Sequence, residues 1–223
     1  RAQVPAEFAG AIGIDAHQKA ADYSCAKTRF GIVNTLFEAL VVLALTFGGG
    51  LQLLHGISAG WFDAGVARGV SLVVLLGAAM TVIDIPFAWY RTFGIEQRFG
   101  FNTMTPRIFV TDLVKHAALA TVLGVPLVAC VLWVAQLAGG LWWLYAWLVW
   151  AAFNLVILAV YPTWIAPLFN KFEPLADAQL RGRIERLLER CGFRVQGLMV
   201  MDGSRRSSHG NAYFTGFGKS KRI

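Results

Sequence analysis

A mainly α-helical integral membrane protein is the fold class this sequence predicts: four transmembrane helices, then the start of a small α+β domain. Three observations carry the expectation. Of 223 residues, 57% are hydrophobic and only 15% are charged, where a soluble domain carries about 25% charged residues. The apolar residues are gathered into long runs, which a single soluble core of this size has no room to bury. Finally, almost all the basic residues fall on one side of those runs.

Crossing a hydrocarbon layer of about 30 Å takes roughly 20 apolar residues in a helix. Four stretches qualify, at about 32–54, 70–90, 113–137 and 141–161. Backbone polar groups in lipid must be satisfied within the segment, so each stretch reads as a helix. The pair Gly139-Gly140 predicts a tight turn that folds the last two spans into a hairpin. Segments 1–31, 91–112 and 162–223 then share one side of the membrane. Of the 20 Lys and Arg, Arg68 alone lies on the other side, and Lys115 stands at a span boundary. Excess positive charge marks the cytoplasmic side. The expected organisation is therefore a cytoplasmic N-terminal segment at 1–31, a four-helix transmembrane region at 32–161 and a cytoplasmic domain from 162 onward. The basic pI of about 9.7 is explained by this topology and by anionic lipid, so no nucleic-acid partner is inferred. Six tryptophans, at 133, 142, 143, 147, 150 and 164, suit interfacial belts.

Ionisable groups inside a span are costly and usually face a cavity or a partner. Glu38 and Asp84 are the clearest, and Asn34, Gln52, Thr81 and Asn154 are milder. Either carboxylate could pair with a Lys or Arg near a helix end, or the two could line a water-filled chamber. Pro86, just after Asp84, removes a backbone donor and is expected to kink or end the second span. The cysteines Cys25, Cys130 and Cys191 fit neither a metal motif nor a disulfide framework, and no two of the four histidines are close in sequence.

Beyond the spans, three prolines in 162–175 argue for an ordered exit loop. Residues 177–191 predict a helix whose apolar face is Leu180, Ile184, Leu187, Leu188 and Cys191, with Gly192 as its stop. Its arginines read as a solvated face. A strand is expected at 197–201, a turn at Asp202-Gly203, and a second, aromatic-rich strand at 211–217. Arg205 and Arg206 read as surface charge, in preference to a site for a substrate carboxylate or anionic lipid. His209 is expected to order the Ser207-Ser208-His209 turn.

Four separated stretches resemble the type I CAAX prenyl protease family. They are His-Gln-Lys-Ala-Ala-Asp-Tyr at 17–23 and Tyr-Arg-Thr-Phe-Gly-Ile-Glu-Gln-Arg-Phe-Gly-Phe-Asn-Thr-Met-Thr at 90–105. The others are Pro-Leu-Phe-Asn-Lys-Phe-Glu-Pro-Leu at 167–175 and Val-Met-Asp-Gly-Ser-Arg-Arg-Ser-Ser-His-Gly-Asn-Ala-Tyr-Phe at 200–214. Order and spacing agree from about residue 17 to the end. The resemblance implies a membrane-embedded zinc metalloendopeptidase that hydrolyses prenylated or other membrane-associated peptides at the cytoplasmic face. Its helices would enclose a water-filled chamber, closed by a zincin-like domain. The zinc would be held by an H-E-x-x-H helix and a later glutamate. No H-E-x-x-H occurs in these 223 residues, so the resemblance places the zinc ligands outside this sequence and makes the chain inactive alone. The opening Arg1-Ala-Gln-Val-Pro, without an initiator Met or signal peptide, agrees with a fragment. This chain would supply chamber helices and the substrate-binding edge strand. There Asn211 is expected to contact a peptide through its side chain and Ala212 through its backbone, with Tyr213 beside them; the peptide is added as an extended strand. Two other readings stay open: a non-catalytic membrane scaffold or binding protein, and a transporter suggested by Glu38 and Asp84, for which no internal repeat is seen. Residue usage points to a bacterial inner membrane.

Overall fold

A computed structural model of the protein describes residues 13–193, 197–210 and 212. Four helices are long and apolar enough to cross a membrane: Ile14–Thr46, Val66–Glu96, Pro106–Leu137 and Gly139–Phe169. No residue of their most apolar windows is buried. Leu40, Val82, Val122 and Leu155 are each more than 60% exposed, as suits surfaces covered by hydrocarbon or by other protein and not by water. The chain divides into two compact units, Arg1–Thr103 and Met104–Ile223.

In the first unit, α1 (Ile14–Thr46) begins well before the predicted span, because the Ala-rich stretch after Ile14 is itself a good helix former. It also ends earlier. The expected span at 32–54 runs across Gly48-Gly49-Gly50, where Gly49 takes φ +81° and the helix breaks. A separate helix, α2 (Gly50–Trp61), follows. It packs on α3 (Val66–Trp89), where Ser58 is fully buried and bonds to the Arg68 carbonyl at 2.8 Å and Ser71 Oγ at 2.5 Å. Pro86 does not end the helix. The backbone passes instead into a π-helical stretch, Tyr90–Glu96, so the missing proline donor coincides with a change of hydrogen-bond register. α1 meets α3 and the π-helical stretch through rings: Phe37 and Phe87 lie 4.7 Å apart and Phe30 and Tyr90 5.3 Å apart.

In the second unit, α4 (Pro106–Leu137) has Pro106 at its first position, and Thr105 Oγ1 accepts the Ile108 N–H at 3.3 Å. A 3-10 turn at Gly139–Leu141 joins it to α5 (Trp142–Val160), against which it packs, as the glycine pair predicts. The exit loop expected at 162–175 is not a loop throughout. Helix continues through a π-helical Tyr161–Ile165 and α6 (Ala166–Phe169). Pro162 and Pro167 sit in the first turns of these short segments, where a missing N–H costs little. Then β1 (Phe172–Pro174) pairs antiparallel with β2 (Met199–Met201), in the register Phe172↔Met201 and Pro174↔Met199. Between them, α7 (Ala178–Arg190) is capped by Asp177, whose carboxylate accepts the Gln179 and Leu180 N–H groups at 2.8 and 3.0 Å. Gly192 closes it at φ +66°. The predicted strand at 211–217 lies outside the described residues, apart from Ala212.

Candidate functional site

Glu38 on α1 and Asp84 on α3 face the same cleft, of about 330 Å³, with Asn34, Thr81, Phe37 and Phe87 among its walls. One turn separates Asn34 from Glu38, and Asn34 Nδ2 donates to Glu38 Oε1 at 2.5 Å. The Asn34 side-chain oxygen, Oδ1, is buried without a partner among the described residues. No Lys or Arg pairs with either carboxylate among the described residues. Helical spacing alone brings 34, 38 and 41 to one face and 80, 84 and 87 to another. The ring contacts then hold these two faces together.

Of the predicted peptide-binding residues, Asn211 and Tyr213 lie outside the described residues, and Ala212 is exposed. The segment leading to them is held in detail. Asp202 closes the end of the β1–β2 ladder: its N–H donates to the Lys171 carbonyl at 3.1 Å, and its carboxylate accepts the Lys171 N–H at 2.8 Å. One 3-10 turn, Gly203–Arg205, follows. Arg205 reaches back to Asp202 at 3.3 Å and is 57% exposed, a surface charge as expected. Burial pulls the Asp202 carboxyl upward, but the Lys171 N–H and Arg205 outweigh it and hold it below its ordinary value. His209 donates its N–H to Ser207 Oγ at 3.2 Å, in keeping with an ordered turn.

Arg206 departs from the surface reading. Its Nε and Nη2 donate to the two carboxylate oxygens of Asp112 at 2.7 and 2.9 Å. Nη1 donates to Asn170 Oδ1 at 2.8 Å and Nη2 also to the Phe169 carbonyl at 2.7 Å. The Asp112 hydrogen bonds push the guanidinium above its ordinary value despite the opposing effect of burial. Asp112, on α4, is buried. Beside it, Lys115 Nζ donates to the Leu168 carbonyl at 2.7 Å, and the His116 ring lies 4.4 Å from that of Phe169. Sequence reasoning missed Asp112. The available signal was a carboxylate within Phe-Val-Thr-Asp-Leu-Val, of the same kind as Glu38 and Asp84, but one residue outside the predicted span.

Four membrane-crossing helices followed by a small helix-and-strand unit define an integral membrane protein. The family described as CAAX prenyl protease N-terminal, five membrane helices, matches residues 1–171, and the chain belongs to it. CAAX prenyl protease 1 homolog of Arabidopsis thaliana is 36% identical over 99% of this chain and 54% of its own length. CAAX prenyl protease 1 of Saccharomyces cerevisiae is 33% identical over 99% and 51%. The crystal structure of S. mikatae Ste24p superposes with a TM-score of 0.89 at 31% identity, covering 98% of this chain and 52% of that one. The chain thus spans about half the length of the relatives it matches.

Proposed function

We propose that this chain supplies the membrane helices and the substrate edge of an integral-membrane zinc metalloendopeptidase. Its substrates would be prenylated, CAAX-type or other membrane-associated peptides, cut at the cytoplasmic face. The observation that carries the reading is the match to Ste24p, which extends over 98% of the chain and is supported by relatives named CAAX prenyl protease at similar identity. Residue usage supports a bacterial inner membrane as the setting, while the relatives named above come from a plant and a yeast.

The described residues do not fit the zinc. No three His, Cys, Asp or Glu side chains among them come together as a metal set, and the sequence lacks H-E-x-x-H. When bound, zinc would polarise the scissile carbonyl and its water, held by residues outside these 223. What this chain contributes is binding. An extended peptide beside 211–213 would be held by backbone hydrogen bonds, which fix its register. The Asn211 amide offers both a donor and an acceptor, and Ala212 would contact the peptide through its backbone, with Tyr213 next in sequence. Glu38 and Asp84 would line the chamber, since two carboxylates without cationic partners need water around them.

The test uses the full-length protein and a farnesylated peptide. Cleavage should be abolished by a zinc chelator and restored by zinc. Asn211→Ala removes one or two peptide hydrogen bonds, worth about 1–3 kcal/mol together, and should raise KM by roughly 5- to 150-fold. Unchanged peptide capture and turnover in Asn211→Ala would refute the edge assignment.

A further inference from the structure

Arg206 ties the segment leading toward residues 211–213 to two other parts of the second unit. Arg206 uses four of its five N–H donors, and their acceptors come from two separate parts of the second unit. Asp112 belongs to α4; the Phe169 carbonyl and the Asn170 amide belong to the end of α6. The backbone on either side is held as well. Asp202 is tied to Lys171 in both directions, and the Arg205, Arg206 and Ser207 N–H groups bond back to Asp202 and Gly203. From Arg206 to Asn211 is five residues, at most about 17 Å of extended chain. A guanidinium with a two-oxygen grip fixes orientation as well as position, which a point charge does not.

We propose that Arg206 is a positioning residue for the proposed peptide-binding residues, clamped by Asp112, Asn170 and the Phe169 carbonyl so that the chain after it meets substrate in one register. The role in catalysis rests on the peptidase reading above; the clamp itself does not. The side chain that fixes the edge is thereby seated on a membrane helix, α4, rather than within the small sheet. Substrate register then depends on α4 and α6 keeping their places, and a shift of about 1 Å at such a support is enough to cost roughly a hundredfold in rate.

The test compares Arg206→Lys, Arg206→Gln, Asp112→Asn and the milder Asn170→Ala in the full-length, zinc-loaded protein. Backbone hydrogen exchange at 203–212 is measured together with KM and kcat for a farnesylated peptide. Expected is at least tenfold faster exchange confined to 203–212 in the Gln and Asn variants, with KM raised about tenfold. Arg206→Lys should resemble Arg206→Gln, because charge without the fork does not hold the segment. Asn170→Ala should show a smaller effect of the same kind, about threefold. The double variant Asp112→Asn with Arg206→Gln should be no worse than either alone. Wild-type exchange and KM in Arg206→Gln, or full rescue by Arg206→Lys, overturns the proposal. If a variant fails to fold, Asn170→Ala decides through the same two readouts. A wild-type protein that cleaves no peptide defeats the peptidase reading, while the exchange comparison still decides the clamp.

Discussion

Arg205 and Arg206 are neighbours in sequence and should answer differently to substitution. Arg205→Ala, which breaks only a pair at an exposed arginine, should change stability by less than about 0.5 kcal/mol. Arg206→Ala leaves the buried Asp112 carboxylate unpaired and should cost about 3 kcal/mol. Thermal unfolding of the purified protein in detergent compares the two. Asp202 adds a pH dependence. Its folded pKa lies below the ordinary carboxylate value of about 3.9. The stabilisation it provides is therefore fully present above that value and is lost as pH falls through the lower, folded one. Amide exchange at Lys171, corrected for intrinsic rate, should show protection lost only in the acid range. Asp202→Asn should abolish that pH dependence. At this scale the sequence was partly legible. Asp202-Gly203 announced a turn and Glu38 and Asp84 announced a polar face, because local spacing is enough for both. The Asp112–Arg206 pair joins residues 94 apart in sequence, and no local pattern reports a contact of that separation.

Among the elements, apolar runs located the spans because lipid imposes length and composition directly, but hydropathy is blind to how a helix breaks inside an apolar run. The stretch at 32–54 remains hydrophobic through a change of direction at Gly48-Gly49. A Cβ on Gly48 would lie 2.6 Å from the Ala44 carbonyl oxygen, and Gly49 holds φ +81°. Gly48→Ala must move backbone and should lower stability by about 2 kcal/mol; Gly49→Ala, with open space but a left-handed backbone, by about 1 kcal/mol. Gly94, in the π-helical stretch, gives a useful contrast. Its added Cβ would meet the Tyr90 ring at 2.9 Å, yet that side chain is more than half exposed and can turn aside. Gly94→Ala should therefore cost less than Gly48→Ala. Thermal midpoints in detergent order the three, and a Gly48→Ala protein as stable as wild type would mean that the α1–α2 break is not obligatory. The continuation of helix past Pro86 and Pro162 was illegible for a related reason. Proline is read as a stop because it removes one donor, but a π-helical register absorbs that loss without ending the helix.

At the scale of the whole molecule, charge asymmetry gives the strongest handle on orientation. Moving Lys and Arg across a bilayer is unfavourable, and the bias in short loops sets sidedness. Within the described residues, α7 alone carries Arg181, Arg183, Arg186 and Arg190, whereas the short turn after α2 carries Asp63 and no Lys or Arg before Arg68. The two regions should therefore lie on opposite faces, with α7 in the cytoplasm. Cys191, at the end of α7, is exposed and serves as a native reporter. A membrane-impermeant maleimide should label it in inside-out vesicles and leave it unlabelled in intact cells. In a background where Cys25, Cys130 and Cys191 are replaced by serine, Asp63→Cys should give the reverse pattern. Labelling of both positions from one face would contradict an orientation set by these arginines. It would also remove the physical reason for proposing peptide cleavage at the cytoplasmic surface, because residues 211–213 follow Cys191 with no apolar run long enough to recross the membrane between them.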